Sequence, residues 1–137
     1  MKVEWIKVPG RPVSAQARSK QSKQSKRKHI ELIKSCGQQR FKAPWNIPIS
    51  VQIFYVFDRT RQNTPDLDNL DKLVLDALKS IAYLDDSQIC SRKSERFYSG
   101  ERVVSSAGIM PPGSELQKTA QLNREECTFI GITDALL

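Results

Sequence analysis

Four aspartates in the middle of the chain have a spacing suited to metal-assisted chemistry. Asp66 and Asp68 flank Leu67, and the pair Asp85-Asp86 follows after an interval of helix length. In an extended stretch alternate side chains point to the same side, so the carboxylates of Asp66 and Asp68 are expected to face one ion. Mg²⁺ takes oxygen ligands and commonly bridges one or two carboxylates to a phosphate. The pattern therefore favours a divalent cation site for phosphate chemistry.

The same aspartates also fit a structural role. Asp68 stands where a helix N-cap belongs, Asp71 takes the position of a capping-box acid, and Asp66 is then a loop residue. For an isolated Asp-x-Asp this interpretation is the more common one. Asp86 strengthens the metal interpretation, because a strand that leaves the intervening helix can run back beside the preceding strand and bring a third carboxylate towards the pair.

Lys72 lies one helical turn after Asp68. As a structural residue it would form an i,i+4 ion pair with Asp68 or Asp76, worth roughly a few tenths of a kcal/mol. As a functional residue it would neutralise charge that develops on a scissile phosphate. Asp71 and Asp76 are predicted to be surface acids of the helix, and Asp85 either supports the ligands or is a spare one.

The elements that must position these residues indicate an α+β fold, with helices packed on a small mixed sheet. Alternating apolar residues predict a central strand over 49–57, and an apolar period of 3.6 then predicts an amphipathic helix over 68–80. Further strands are predicted over 2–8 and 88–97, and short helices over 26–36 and 115–124. Either residues 102–109 or residues 127–133 are expected to form a further strand at the sheet edge.

Length and composition exclude several classes of protein. A chain of 137 residues fits one domain. No run approaches the roughly 20 apolar residues of a membrane span, and nothing reads as a secretory signal, so a cytoplasmic location is expected. The three cysteines, Cys36, Cys90 and Cys127, are predicted to be small, mostly buried residues rather than zinc ligands or disulfides. His29 is predicted to be solvated or to face phosphate.

The distribution of charge is more informative than its total. The formal net charge is +7 and the pI is about 9.5, which suggests a polyanionic partner. Yet seven aspartates against four basic residues lie between Asp58 and Asp86. Such a patch would repel the phosphates that the rest of the chain attracts. A divalent cation resolves this conflict, because it turns the repulsive patch into a catalytic one.

A basic, low-complexity arm spans residues 11–28. It is either a solvated, partly disordered segment or a phosphate-contacting loop that leads into a helix. Because no aromatic residue lies between Trp5 and Phe41, the arm is expected to contact a nucleic-acid backbone rather than bases. The predicted nucleic-acid-binding residues are Arg11, Arg18, Lys20, Lys23, Lys26, Arg27, Lys28 and, outside the arm, Arg61.

Residues 65–89, PDLDNLDKLVLDALKSIAYLDDSQI, closely resemble the RusA family of Holliday-junction resolvases. The hallmark of that family is an Asp-x-Asp-Asn helix start, a lysine four residues later and an Asp-Asp pair before a strand. The run Val8-Pro9-Gly10-Arg11-Pro12 is similar to the N-terminal Gly-x-Pro turn of the family. The resemblance covers residues 3–98. The last 28 residues resemble no known family.

The resemblance implies a homodimeric α+β endodeoxyribonuclease that nicks symmetric strands of a four-way DNA junction in recombination and repair. It implies Mg²⁺, with Mn²⁺ as a substitute, and no small-molecule cofactor. The metal-binding carboxylates carry over to Asp66, Asp68 and Asp86, and the essential catalytic lysine to Lys72. A C2 dimer suits the approximate two-fold symmetry of the junction, because paired cuts need two sites.

This interpretation divides the chain into a RusA-like nuclease domain, residues 1–110, and a C-terminal extension, residues 111–137, that could supply a last strand. Two other functions stay open. One is a non-catalytic basic DNA-binding module of the same fold, in which the aspartates are caps and solvated acids. The other is a nuclease that acts on other branched DNA.

Overall fold

Strands and helices alternate along the first two-thirds of the chain. The structure, a computed structural model, describes residues 2–16, 19–58, 65–101, 103, 105 and 109–135. No helix within these ranges is both long enough and apolar enough to cross a membrane. The elements are β1 (Val3–Pro9), α1 (Lys20–Arg40), β2 (Ile49–Phe57), α2 (Leu67–Leu78), β3 (Ile89–Tyr98), α3 (Glu115–Gln117) and β4 (Cys127–Asp134).

The four strands form one mixed sheet in the order β1-β4-β2-β3. β4 runs antiparallel to both β1 and β2, whereas β3 runs parallel to β2. Helix α2 connects the two parallel strands, as a parallel pair requires a crossover connection. The predicted α+β fold with a mixed sheet is therefore confirmed, and β3 lies at the sheet edge beside the helix that carries the family motif.

The central strand β2 is covered on both faces. Its odd-numbered residues, such as Ile53 and Tyr55, belong to the main core that includes residues of α1 and α2. Its even-numbered residues Phe54 and Val56 pack on the opposite face with Leu116 of α3. This arrangement explains why the second half of β2 is apolar at successive positions, as expected for a strand buried on two sides.

Helix α1 begins at Lys20, six residues earlier than the predicted start at 26. Ser19 caps it by accepting a hydrogen bond from the backbone N–H of Ser22 at 3.0 Å. Lysine and glutamine are good helix formers, so the low-complexity composition did not prevent a helix. The second half of the arm is therefore helical rather than a loop.

The burial of His29 and of Cys90 is the reverse of what was predicted. His29 is buried, with 7% of its surface exposed, and burial lowers the pKa of its imidazole. It shares the buried stripe of α1 with Ile33 and Gly37, at intervals of four residues. Cys90 is exposed on the edge strand β3, whereas Cys127 is buried in β4. The predictions of a solvated His29 and a buried Cys90 are wrong, because the side-chain type did not reveal which face each occupies.

Strand β4 lies inside the sheet, between β1 and β2, rather than at its edge. It contains residues 127–133, which were one of the two segments predicted as candidates for the last strand. Most of the competing 102–109 segment lies outside the described residues. The residues before β4 form α3 and a wider turn over Lys118–Asn123, in agreement with the helix expected over 115–124.

Gly131 of β4 lies against the indole of Trp5. A Cβ added at Gly131 would lie 2.7 Å from Cη2 of that ring, which itself stacks on Phe54 with centroids 6.0 Å apart. We expect Gly131→Ala to lower the free energy of unfolding by about 1–3 kcal/mol, because the ring must shift. Urea denaturation measures this. In a Trp5→Leu background the same substitution should cost much less, and an equal loss in both backgrounds would contradict the proposed clash.

Candidate active site

The first turn of α2 presents two aspartates to solvent. Asp66 takes the N-cap position, and its side chain makes no capping hydrogen bond. Asp68 is inside the helix, and 90% of its side chain is exposed. The predicted N-cap role of Asp68 is therefore wrong, because the N-cap is Asp66, two residues earlier. Neither carboxylate is used to cap the helix, and both are well placed for charge-assisted contacts with a ligand.

A cleft of about 600 Å³ lies between α2 and the start of β3. From α2, Asp68, Lys72 and Asp76 line it, because residues four apart share one face of a helix. From the other side, Asp86 and Arg92 line it. The cleft thus brings together Asp68, Lys72 and Asp86 of the predicted site residues, whereas Asp66 is not part of its lining.

Asp85 and its neighbours shape the turn that presents Asp86. The carboxylate of Asp85 accepts hydrogen bonds from the backbone N–H and hydroxyl of Ser87, and these bonds lower the pKa of Asp85. Gln88 closes a reciprocal capping box with the backbone of Asp85. Lys79 reaches both acids, with Nζ 3.7 Å from Asp85 and 3.9 Å from Asp86. The structure thus gives Asp85 a capping role.

Asp71 is buried, with only 1% of its surface exposed. The prediction that it is a surface acid is wrong, because its carboxylate accepts hydrogen bonds from the hydroxyls of Tyr55 on β2, at 2.6 Å, and Ser94 on β3. Burial and then the charge of Asp71 raise the pKa of Tyr55, which keeps the phenol protonated as a donor. This network fixes the helix against both parallel strands.

Arg92 joins that buried network to the cleft. Its Nε lies 3.4 Å from Asp71, and its terminal nitrogen Nη2 lies 3.4 Å from Asp68. About half of the side chain is covered, because 43% remains exposed. A guanidinium therefore spans a buried acid and an exposed acid at the mouth of the cleft.

A comparison with models of known protein families matches residues 9–105 to "Endodeoxyribonuclease RusA". The chain belongs to the RusA family. This confirms the resemblance read from residues 65–89 and assigns the protein to a family of enzymes that hydrolyse DNA internally. Membership implies a nuclease that resolves Holliday junctions. A search of curated proteins gave no match.

The cleft of this RusA-family protein offers the ligand type that a hard cation needs. Carboxylate oxygens come from Asp68, Asp76 and Asp86, and Mg²⁺ prefers oxygen ligands. In the described part of the chain, no three histidine, cysteine or acidic residues are grouped closely enough to hold a metal ion. The structure therefore does not bring Asp66, Asp68 and Asp86 together in such a group, and of the three only Asp68 and Asp86 line the cleft. The donor set fits a cation that keeps positions for water and phosphate oxygens.

The predicted DNA-binding residues divide into exposed and engaged groups. Arg11 lies 2.6 Å from a carboxylate oxygen of Glu126 and stacks over Phe57, so its guanidinium is largely committed to the fold. Lys26 donates to the carbonyl of Ala15 at 2.9 Å. Arg18 and Arg61 lie outside the described residues. The exposed members are Lys20, Lys23, Arg27 and Lys28 of α1.

Sequence reasoning gave no site role to Asp71, Asp76 or Arg92. Asp76 is exposed, as predicted, but it also lines the cleft. A signal for Arg92 was present, because Arg92, Ser94 and Arg96 alternate along the predicted strand and must share one face. The signal for Asp71 was weaker. It adjoins Leu70 in the apolar period of the helix, but an aspartate is seldom fully buried unless it is paired.

Proposed function

We propose that this RusA-family protein is a Mg²⁺-dependent endonuclease that resolves four-way DNA junctions by paired symmetric nicks. The observation that supports this most is that Asp68 and Lys72 of the family motif line the same cleft of about 600 Å³ as Asp86. Acids and a cation at one accessible position are what phosphoryl transfer requires, because its catalysis depends mainly on positioning and charge stabilisation.

Asp68 and Asp86 are the proposed cation ligands from the two walls of the cleft, with Asp66 as the third ligand that the family motif implies. When bound, the cation would lower the pKa of a water molecule and stabilise charge on the phosphate. Lys72 lines the cleft one turn after Asp68 and would place its ammonium beside the same phosphate. Its charge would be most stabilising where negative charge develops during cleavage.

A homodimer is the assembly that this activity favours. One protomer supplies one cleft, and two cuts related by the two-fold symmetry of a junction need two. Light scattering of the purified protein should therefore give about twice the mass of one chain, which is 15.6 kDa. A monomer at the concentration at which junctions are cut would contradict paired cleavage by a preformed dimer.

The exposed cations of α1 are proposed to contact the DNA backbone. Replacing Lys20, Lys23, Arg27 and Lys28 with glutamine should weaken junction binding and flatten its salt dependence, by roughly 0.9 in the log-log slope for each lost phosphate contact. The measurement is a titration of fluorescent junction at several salt concentrations. A control replaces Lys34 and Arg40 of the same helix with glutamine, and its slope should change less per substituted residue. An unchanged slope in the fourfold variant would leave the arm without this role.

Incubation of the protein with a synthetic four-way junction tests the proposal directly. With Mg²⁺ we expect two symmetric nicks in opposed strands, and with EDTA a shifted band without cleavage. Junction, flap and linear duplex substrates are compared in parallel. A shifted band under both conditions would indicate a DNA-binding module without catalysis. Faster cutting of flaps would indicate a nuclease for other branched DNA.

A further inference from the structure

Arg92 lines the cleft but has no role in the cleavage mechanism proposed above. It extends from the edge strand β3 to the mouth of the cleft, where it lies 3.4 Å from both Asp68 and Asp71. These two acids differ sharply in environment. The Asp68 side chain is 90% exposed, whereas that of Asp71 is 2% exposed. The arginine is thus tethered at the buried acid, and its other contact is with a carboxylate that water and ligands can reach.

Asp71, the buried acid that contacts Arg92, is itself held by hydrogen bonds from two strands. Tyr55 and Ser94 donate to the carboxylate of Asp71 from neighbouring parallel strands, so Asp71 cannot turn away without leaving both hydroxyls unpaired. A buried carboxylate needs such partners, because its desolvation is costly. Asp71 therefore holds the Nε edge of Arg92 in a defined orientation.

The orientation of Arg92 suits a phosphate. A guanidinium carries five N–H donors in a planar fork, and contacts to Asp68 and Asp71 use only part of it. Such a fork binds phosphate oxygens in pairs, which lysine cannot do. The cleft that Arg92 lines also contains Lys72, so a phosphate there would lie between two cations supplied by different elements.

We propose that Arg92 is a phosphate-binding residue of the active site and that Asp71 is its positioning residue. This rests on the proposed nuclease function and identifies how this chain holds the scissile phosphate. In the DNA-free protein Asp68 occupies one edge of the guanidinium. That contact is 3.4 Å long and lies at an exposed carboxylate, so a phosphate of the DNA can displace Asp68 from this edge without a bound cation.

The test compares Arg92→Ala with Lys93→Ala, a substitution of the adjacent exposed cation whose side chain points to the opposite face of β3. Binding is measured first, in EDTA, as the salt dependence of affinity for a four-way junction. Loss of a phosphate contact should reduce the log-log slope by about one in Arg92→Ala and leave it unchanged in Lys93→Ala. This readout needs neither metal nor cleavage.

Cleavage is then measured with Mg²⁺ under single-turnover conditions at saturating protein. Arg92→Ala should cut roughly 100-fold more slowly, as for loss of one charged donor at a developing anion. Arg92→Lys should recover only part of this rate, because the charge returns without the fork. Asp71→Asn, which keeps the shape, should be slower by roughly 10-fold at unchanged junction affinity, as for loss of a supporting contact. Ser94→Ala is the milder second variant, should Asp71→Asn unfold.

The outcomes separate the two proposals. If the unmodified protein cuts junctions and Arg92→Ala matches Lys93→Ala in both salt slope and rate, Arg92 is a surface residue and the present inference is wrong. If the unmodified protein never cuts any branched DNA, the nuclease proposal itself fails, whereas the salt slope still reports on Arg92 as a phosphate contact. Full recovery by Arg92→Lys would reject the role of the guanidinium fork.

Discussion

Replacing Lys72 with alanine is expected to slow junction cleavage by roughly 10²–10³-fold, which is the usual cost of removing one preorganised charge at a developing anion. Lys72 lines the cleft between Asp68 and Asp76 on the same helical face. An i,i+4 ion pair on a helix surface is worth only roughly a few tenths of a kcal/mol, so the substitution should hardly change the free energy of unfolding. Junction affinity should remain within a few-fold of the original, because most phosphate contacts lie elsewhere.

The measurement pairs single-turnover cleavage with a binding titration in EDTA and a thermal melt. Lys34→Ala on α1 serves as the control for loss of one lysine outside the cleft, and its cleavage rate should be unchanged. If Lys72→Ala cuts at the original rate, the residue belongs to the helix surface. If the melt shows a large loss of stability, the side chain has a packing role that its exposed position does not suggest.

Replacing Asp86 with asparagine should slow cleavage by roughly 100-fold or more, because a lost cation ligand removes several kcal/mol of transition-state stabilisation. Asp68→Asn should behave similarly from the other wall of the cleft. In EDTA both variants should bind the junction slightly more tightly than the original protein. The reason is that each removes a carboxylate that repels DNA phosphates when no cation is present.

Asp85→Asn provides a closely matched control. It changes the neighbouring carboxylate by the same single charge, and asparagine caps a helix about as well as aspartate does. The turn that carries Asp86 should therefore persist, and cleavage should stay within a few-fold of the original rate. Equal losses in Asp85→Asn and Asp86→Asn would show that the turn, rather than the Asp86 carboxylate, accounts for the effect.

The parts of the fold that could be predicted are those whose hydrophobic period is long and regular. Strand β2 matches the prediction over 49–57, and α2 differs from it by one or two residues at each end. Both are bounded by polar or turn-forming residues and carry an unbroken apolar pattern. The motif over residues 65–89, which contains α2, was sufficient to identify the family, because its acids and lysine stand at fixed positions relative to that helix.

The remaining features depend on which distant segments pack together. The interior place of β4 follows from its pairing with both β1 and β2, which a local pattern does not encode. Burial of Asp71 depends on Tyr55 and Ser94 approaching from two strands, and the residues near Asp71 in sequence signal this only weakly. The polar type of Asp71 therefore did not predict its burial. A buried acid is stable only when the fold supplies its hydrogen-bond partners.

A crystal of the protein soaked with Mn²⁺, with a non-cleavable junction bound, tests the central claim most directly. Mn²⁺ takes the same oxygen ligands as Mg²⁺ and scatters anomalously. We predict an anomalous peak inside the cleft, coordinated by carboxylate oxygens of Asp68 and Asp86 and by a phosphate oxygen of the DNA. A fully occupied Mn²⁺ site elsewhere, with the cleft free of anomalous signal, would contradict the account.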